Sequence, residues 1–159
     1  MTSQLVLFEE EHNQIVAVCD ALHRDAVARA VFLVDKNGQL LANSGETASM
    51  DTTSLASLTA GNIAATGGLA QLLGEKEFAI QFHEGEHDNI HISLVGHRVI
   101  LVIIFDQRSS LGLVRLRVRK ASSELASVFE VIHTKAQQQE SSVFNEITDD
   151  DIDSLFGDG

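Results

Sequence analysis

The sequence predicts an α+β domain in the order α-β-β-α-β-β-β-α, with a five-stranded, mainly antiparallel sheet sandwiched between helices. Three observations predict it. Apolar residues recur at three- and four-residue spacing in three separate windows, which is the period of a helix face. An Asn-Gly turn joins two extended runs near the start, which is the strongest short-range hairpin signal. Three further extended runs follow one another through short Gly- and Asp-containing links, as an antiparallel meander requires.

In order, Ile15, Val18, Cys19 and Leu22 describe one face of a first helix over roughly Phe8 to Arg24. Val31 to Val34 is a continuous β-branched and aromatic run, Asp35-Lys36-Asn37-Gly38 supplies the turn, and Gln39 to Ala42 resumes an extended pattern. Asp51, Thr52, Thr53 and Ser54 can cap a second helix, which continues to about Leu73 with Gly74 as its stop. Phe78 to His83, Asn89 to Val95 and Arg98 to Phe105 are the meander strands. The last segment, Ser109 to Lys135, contains the strand-like alternation Leu116-Arg117-Val118-Arg119, yet Leu111, Val114, Val118, Ala121, Leu125, Val128, Phe129 and Ile132 step by three and four, and length decides for helix. There is no internal repeat, and no stretch qualifies as a transmembrane span.

At 159 residues the chain can bury about two thirds of its unfolded surface around one core. One cysteine, Cys19, allows no internal disulfide, and with no signal-peptide pattern this predicts a reducing, cytoplasmic setting. Cys19 falls on the apolar stripe of the first helix, where a buried small hydrophobe outweighs a reactive thiol. The net charge of −12 argues against nucleic acid and against an anionic membrane surface, both of which demand bases.

The charge also divides the chain. Residues 140–159 hold seven acids and no base, leaving sixteen acids against eleven bases in the body, a net −5. Between them Ala136 to Ser142 reads AQQQESS, polar and without apolar periodicity. The sequence thus predicts a domain over 1–135, a flexible linker over 136–142 and an acidic tail over 143–159. In the tail, Thr148 can cap, Asp149 to Asp151 suit the positive end of a helix dipole, and Ile152, Leu155 and Phe156 recur at i, i+3, i+4. That pattern describes a short amphipathic helix that docks in a groove, against the simpler reading of a disordered solubilising tail.

The second helix is the most unusual element. Leu55, Leu58, Ala65, Leu69, Leu72 and Leu73 share one face, expected to seat it on the sheet. The other face carries Ala56, Ala60, Ala64, Gly67 and Gln71 with Gly68 alongside, and no charged residue lies between Asp51 and Glu75. Each helical glycine costs about 1 kcal/mol relative to alanine. Small residues at four-residue spacing let another backbone approach, so this face is expected to meet a second copy or another chain; the alternative is a helix covered on both sides within its own monomer.

Other patterns carry less. His83-Glu84-Gly85-Glu86-His87 matches the HExxH of zinc peptidases, but that chemistry needs both imidazoles one helical turn apart, and here the motif joins two strand patterns with Gly85 at its centre. A solvated turn is the expectation; a zinc-dependent hydrolase at His83 and His87 is a remote alternative, with His91 and His97 adding only adventitious metal affinity. Gly61 to Gly68 lacks the Lys-Ser/Thr of a phosphate-binding loop, so the chain is expected to bind no nucleotide itself. Arg115, Arg117, Arg119 and Lys120 cluster at the start of the last helix, as a solvated face or a patch for an acidic partner. Eight Phe with no Trp or Tyr give no sign of a lined sensor pocket.

The hairpin Asp35-Lys36-Asn37-Gly38-Gln39-Leu40-Leu41, the helix Asp51-Thr52-Thr53-Ser54-Leu55-Ala56-Ser57-Leu58-Thr59-Ala60-Gly61-Asn62 and the helix start Ser110-Leu111-Gly112-Leu113-Val114-Arg115, in this element order, resemble the roadblock/LC7 family. The resemblance covers essentially the whole body and, among bacterial members that partner the Ras-like polarity GTPase MglA, extends to the Asp149-Asp150-Asp151-Ile152-Asp153 run. It implies a profilin-like sandwich and a homodimer whose central helices, and the strands after them, meet across a two-fold axis. An MglA-like Ras-family GTPase would then rest on the helix pair near Ala56, Ala60, Ala64, Gly67 and Gly68, and be activated by rearrangement of its own catalytic residues, without an arginine finger. The resemblance further implies a role in polarity and motility, concentration at a cell pole, contacts with other polarity proteins, and no cofactor, metal or catalytic residue of its own. A non-activating adaptor for a GTPase or motor component shares every one of these sequence features.

Overall fold

The computed structural model describes residues 8–146, the side chains of 142–146 excepted. Helix α1 spans Glu9–Asp25, strands β1 and β2 span Ala30–Asp35 and Leu40–Gly45, helix α2 spans Thr52–Leu72, strands β3, β4 and β5 span Ile80–Glu84, Asn89–Val95 and Val99–Phe105, and helix α3 spans Leu111–Glu146. The strands form one sheet in the order β2-β1-β5-β4-β3, and all four pairings are antiparallel. β5 lies at its centre and every one of its residues is buried, as expected of a β-branched run with no polar alternation.

Helices α1 and α3 cover one face. Ile15, Cys19 and Leu22 from α1 and Val114, Val118, Leu125 and Ile132 from α3 close over Val31, Leu33, Leu101, Ile103 and Phe105. Among the described residues α2 is the one helix on the other face, over Phe32, Val34, Ile92, Ile100, Val102 and Ile104. The sandwich expected from the sequence is therefore present, with two helices on one side and one on the other.

Two expectations need correction. The stretch 136–142, expected as a flexible linker, is helical: α3 runs through it to Glu146. Ala, Gln and Glu are strong helix formers, and a helix already nucleated and packed upstream extends at one hydrogen bond per residue without an apolar face of its own. The residues Ile152, Leu155 and Phe156, expected to dock, lie outside the described residues. The second correction concerns the rotation of α2. Leu58, Ala65, Leu69, Leu72 and Leu73 do not seat it on the sheet; they are exposed, and it is Ala56, Thr59 and Ala70 that are buried, with Leu55 and Ile63 packed partly against the sheet. The β1–β2 turn sets this. Gly38 has φ +90, and a Cβ there would lie 3.6 Å from Ser57 Cα and 3.8 Å from Ala60 Cβ. The hairpin tip thus lies close to the helix at Ser57 and Ala60, where there is no room for a larger side chain at 38, while Leu55 and Ile63 are the large residues that reach the sheet.

Among buried polar groups, Glu11 pairs with Lys135 and so ties the start of α1 to α3; the Lys135 ammonium also lies 5.6 Å from the centroid of the Phe8 ring. The Lys135 hydrogen bond lowers the Glu11 carboxyl below its ordinary range. A depressed carboxyl stabilises the fold above its unfolded pKa of about 4.3, and that contribution vanishes as pH falls through the lower folded value. Glu11→Gln should therefore be less stable than the parent at pH 7, with the difference closing below about pH 4 in urea melts across pH. Burial, aided by Asp20, pushes the Cys19 thiol up to about 12. Cys19 should consequently resist a disulfide reagent at about pH 8 in the native protein and react stoichiometrically in denaturant.

Candidate functional site

Helix α2 starts cleanly. The Ser54 N–H donates to Asp51 Oδ1 at 3.1 Å and the Ser54 hydroxyl to Asp51 Oδ2 at 2.7 Å, bonds that hold the Asp51 carboxyl below its ordinary range. Gly74, with φ +78, follows its end, the left-handed conformation a helix stop favours. One tie reaches the far sheet edge: the Gln81 side-chain amide on β3 donates to Thr66 Oγ1 at 2.9 Å.

The outward face of this helix is apolar. Leu58, Leu69, Leu72 and Leu73 are 73%, 55%, 83% and 71% exposed, and on β3, an edge strand with no neighbour on its outer side among the described residues, Ile80 is 59% exposed. Leu58, Ala65, Leu69 and Leu72 fall along one ridge at seven-, four- and three-residue steps, with Gly61 and Gly68 beside it. A Cβ added at Gly61, Gly67 or Gly68 would meet nothing within 4 Å. No contact among the described residues therefore requires glycine at these three positions.

A groove of about 540 Å³ runs along one flank of α2, lined by Ala60, Ile63, Ala64, Gly67, Gly68 and Gln71 from the helix and by Lys36, Lys76, Phe78 and Leu94 opposite. A Lys36–Glu77 ion pair, 3.7 Å between charged atoms, bridges two of its wall residues. Five of the six small or polar positions singled out in the sequence thus share one groove. The sixth, Ala56, is buried in the core and offers nothing to another chain. Sequence reasoning missed the exposed ridge and the opposing wall. The total absence of charge from 52 to 74 was the available signal for the ridge; the wall is brought there by tertiary contact alone.

The remaining candidates are dispersed. His83 lies near the end of β3 and His87 in the following turn, both exposed, so they do not share a helix face. Among the described residues no group of three or more His, Cys, Asp or Glu side chains could hold a metal ion. His91 on β4 is 1% exposed with neither ring nitrogen hydrogen-bonded, and desolvation, then the Arg115 charge, lower its pKa. Arg115, Arg119 and Lys120 are exposed on α3 and Arg117 half-buried, on the opposite side of the sheet from the groove. Among the described residues no helix is long and apolar enough to cross a membrane.

The Roadblock/LC7 domain family matches residues 15–105, from the first helix to the last strand. Among solved structures, Myxococcus xanthus MglB is 62% identical, with 80% of this chain and 96% of that chain covered and a TM-score of 0.77. The gliding protein MglB from Thermus thermophilus is 34% identical, covering 82% of this chain and 98% of that one at a TM-score of 0.76. An MglB described in a tetrameric arrangement is 32% identical, with 83% and 99% covered and a TM-score of 0.78. No curated protein matches the chain. The chain belongs to the roadblock/LC7 family and is MglB-like.

Gly67→Ala tests whether the glycines serve the fold. With open space at the added methyl, the substitution should raise urea-unfolding stability by up to about 1 kcal/mol; a loss of similar size would show that a second chain already packs there in the isolated protein.

Proposed function

We propose that this roadblock/LC7 protein is a non-catalytic activator of a bacterial Ras-like small GTPase of the MglA type, working as a homodimer in cell polarity and motility. The observation that carries the reading is the outward side of α2: uncharged, leucine-ridged, and holding three glycines that no contact among the described residues explains. The 62% identity to an MglB over most of the chain supports the choice of an MglA-type partner.

The two halves of that surface suit two contacts. The ridge of Leu58, Leu69 and Leu72 with Ile80 on the open edge of β3 suits self-association: apposed ridges bury leucine, and paired β3 edges satisfy the unpaired strand groups. The groove of Ala60, Ala64, Gly67, Gly68 and Gln71 stays on the flank, where the GTPase docks. Activation then comes from ordering the GTPase's own switch segments. An arginine finger contributes about 10³–10⁵ in rate through one charge; the cations lining this groove are lysines, with Lys36 already engaged by Glu77.

The test is single-turnover GTP hydrolysis by an MglA-type GTPase with and without the protein, alongside Ala64→Arg and Gly68→Arg. Both sites are solvent-accessible, so the variants should fold, and each should abolish a rise of tenfold or more. Binding without acceleration would make the protein an adaptor, and full activity in both variants would remove the groove from the mechanism. Leu72→Glu should lower the sedimenting mass at micromolar concentration while leaving the circular dichroism spectrum unchanged.

A further inference from the structure

On the face of the sheet away from α2, α1 and α3 leave a notch of about 50 Å³ lined by Val18, Ala21, Leu22 and Asp25 from α1 and by Arg117, Lys120, Ala121 and Glu124 from α3. Leu116, 57% exposed, stands one turn before Lys120, with Arg115 and Arg119 beside it. Four cations here face two carboxylates, Asp25 and Glu124, a basic excess on an acidic protein, and among the described residues none of Arg115, Arg117, Arg119 and Lys120 is within 4.0 Å of a carboxylate. Asp25 is engaged by Arg24 at 3.5 Å. The Nε of Arg117 is buried with no hydrogen-bond partner among the described residues, which is costly unless something arrives to accept from it.

The chemistry that fits is an acidic segment with a few apolar side chains, and the chain carries one: Asp149, Asp150, Asp151 and Asp153 interleaved with Ile152, Leu155 and Phe156. Length decides whose notch that segment can reach. α3 is continuous to Glu146, so Lys120 lies 26 residues back along it, about 39 Å at 1.5 Å per residue. Asp153 is seven residues past Glu146, at most about 25 Å even when fully extended. The backbone at Asp149 to Asp153 therefore falls more than about 10 Å short of the chain's own notch; Asp158, twelve residues past Glu146, reaches it only when fully extended, at about 43 Å.

We infer that the acidic segment Asp149–Phe156 of one copy docks in trans on the notch between α1 and α3 of a second copy, against Arg117 and Lys120, with Leu116 exposed beside it. The surface is separate from the α2 groove, so this contact leaves the GTPase-facing side uncovered.

The experiment uses the full chain alone. Natural-abundance and ¹⁵N-labelled protein are mixed in equal amounts, unfolded and refolded together, cross-linked with a zero-length carbodiimide, and digested for mass spectrometry. Linkage of Lys120 to Asp149, Asp150, Asp151 or Asp153 is expected, with about half of those links joining light to heavy chains, and with loss of the links in about 0.5 M salt. Lys120→Glu should remove them, and pairing Lys120→Glu with Asp150→Lys should restore a link of reversed polarity in a protein whose fold is checked by circular dichroism. Links within single isotopes only, tail links to Lys36, Lys76 or Lys135 with none to Lys120, or no tail links at all would each overturn the inference. Because no GTPase is present, none of these outcomes bears on the activator reading.

Discussion

A single helix without one charged side chain has to close a whole face of the sheet, and the rest of the surface follows from how it does so. Phe32, Val34, Ile92, Ile100, Val102 and Ile104 lie under α2, whereas two helices share the opposite face. To exclude water there, α2 must lie close, and the hairpin tip at Gly38 limits what fits between them. Ala56, Thr59 and Ala70 fit. Leu55 and Ile63 reach the sheet, whereas Leu58, Leu69 and Leu72 are turned outward, and burying each of these on association is worth about 1.5–3 kcal/mol. Tight packing inside the monomer and an unpartnered apolar ridge outside it are one arrangement seen from two sides.

The glycines belong to the same arrangement. A helix that merely covered a sheet would gain stability from alanine at 61, 67 and 68, since no neighbour within 4 Å would oppose the methyl. About 1 kcal/mol per position has instead been left unclaimed along the outer side and flank of α2. No contact among the described residues offsets it. Close approach of another backbone is what a missing Cβ permits, and the flanking leucines would give that approach apolar area.

Much of the fold is legible in the sequence because its signals are local. Ile15, Val18, Cys19 and Leu22 locate the first helix to within a residue at each end, the expected and observed bounds of β4 coincide, and Asp51 and Gly74 bound α2 through their own backbone chemistry. The rotation of α2 is not legible. A helix is oriented by contrast between a polar and an apolar side, and 52 to 74 has no charge on any side. The leucine stripe reads as the core-facing side because leucine usually is, while the deciding contact, Gly38 against Ser57 and Ala60, joins segments distant in the sequence. The continuation of α3 past 135 is hidden for a related reason: once a helix is anchored by Ile132 and the Glu11–Lys135 pair, its extension needs propensity rather than periodicity.

The two sides of the sheet consequently offer surfaces of different physical kind. Association through α2 draws on apolar area and close backbone approach, which salt hardly weakens and which a charge inserted at Ala64 or Gly68 opposes at the full cost of desolvating it. Association through α3 draws on Arg117 and Lys120 beside a small apolar notch, and exposed charges interact only within a Debye length of about 8 Å at physiological ionic strength. A protein with a net charge of −12 repels its own copies at long range, so the neutral side of α2 and the basic side of α3 are where another chain can approach against the least repulsion. Ionic strength would therefore separate the two proposed contacts: raising it would leave the first in place and remove the second, while relaxing the general repulsion that both must overcome.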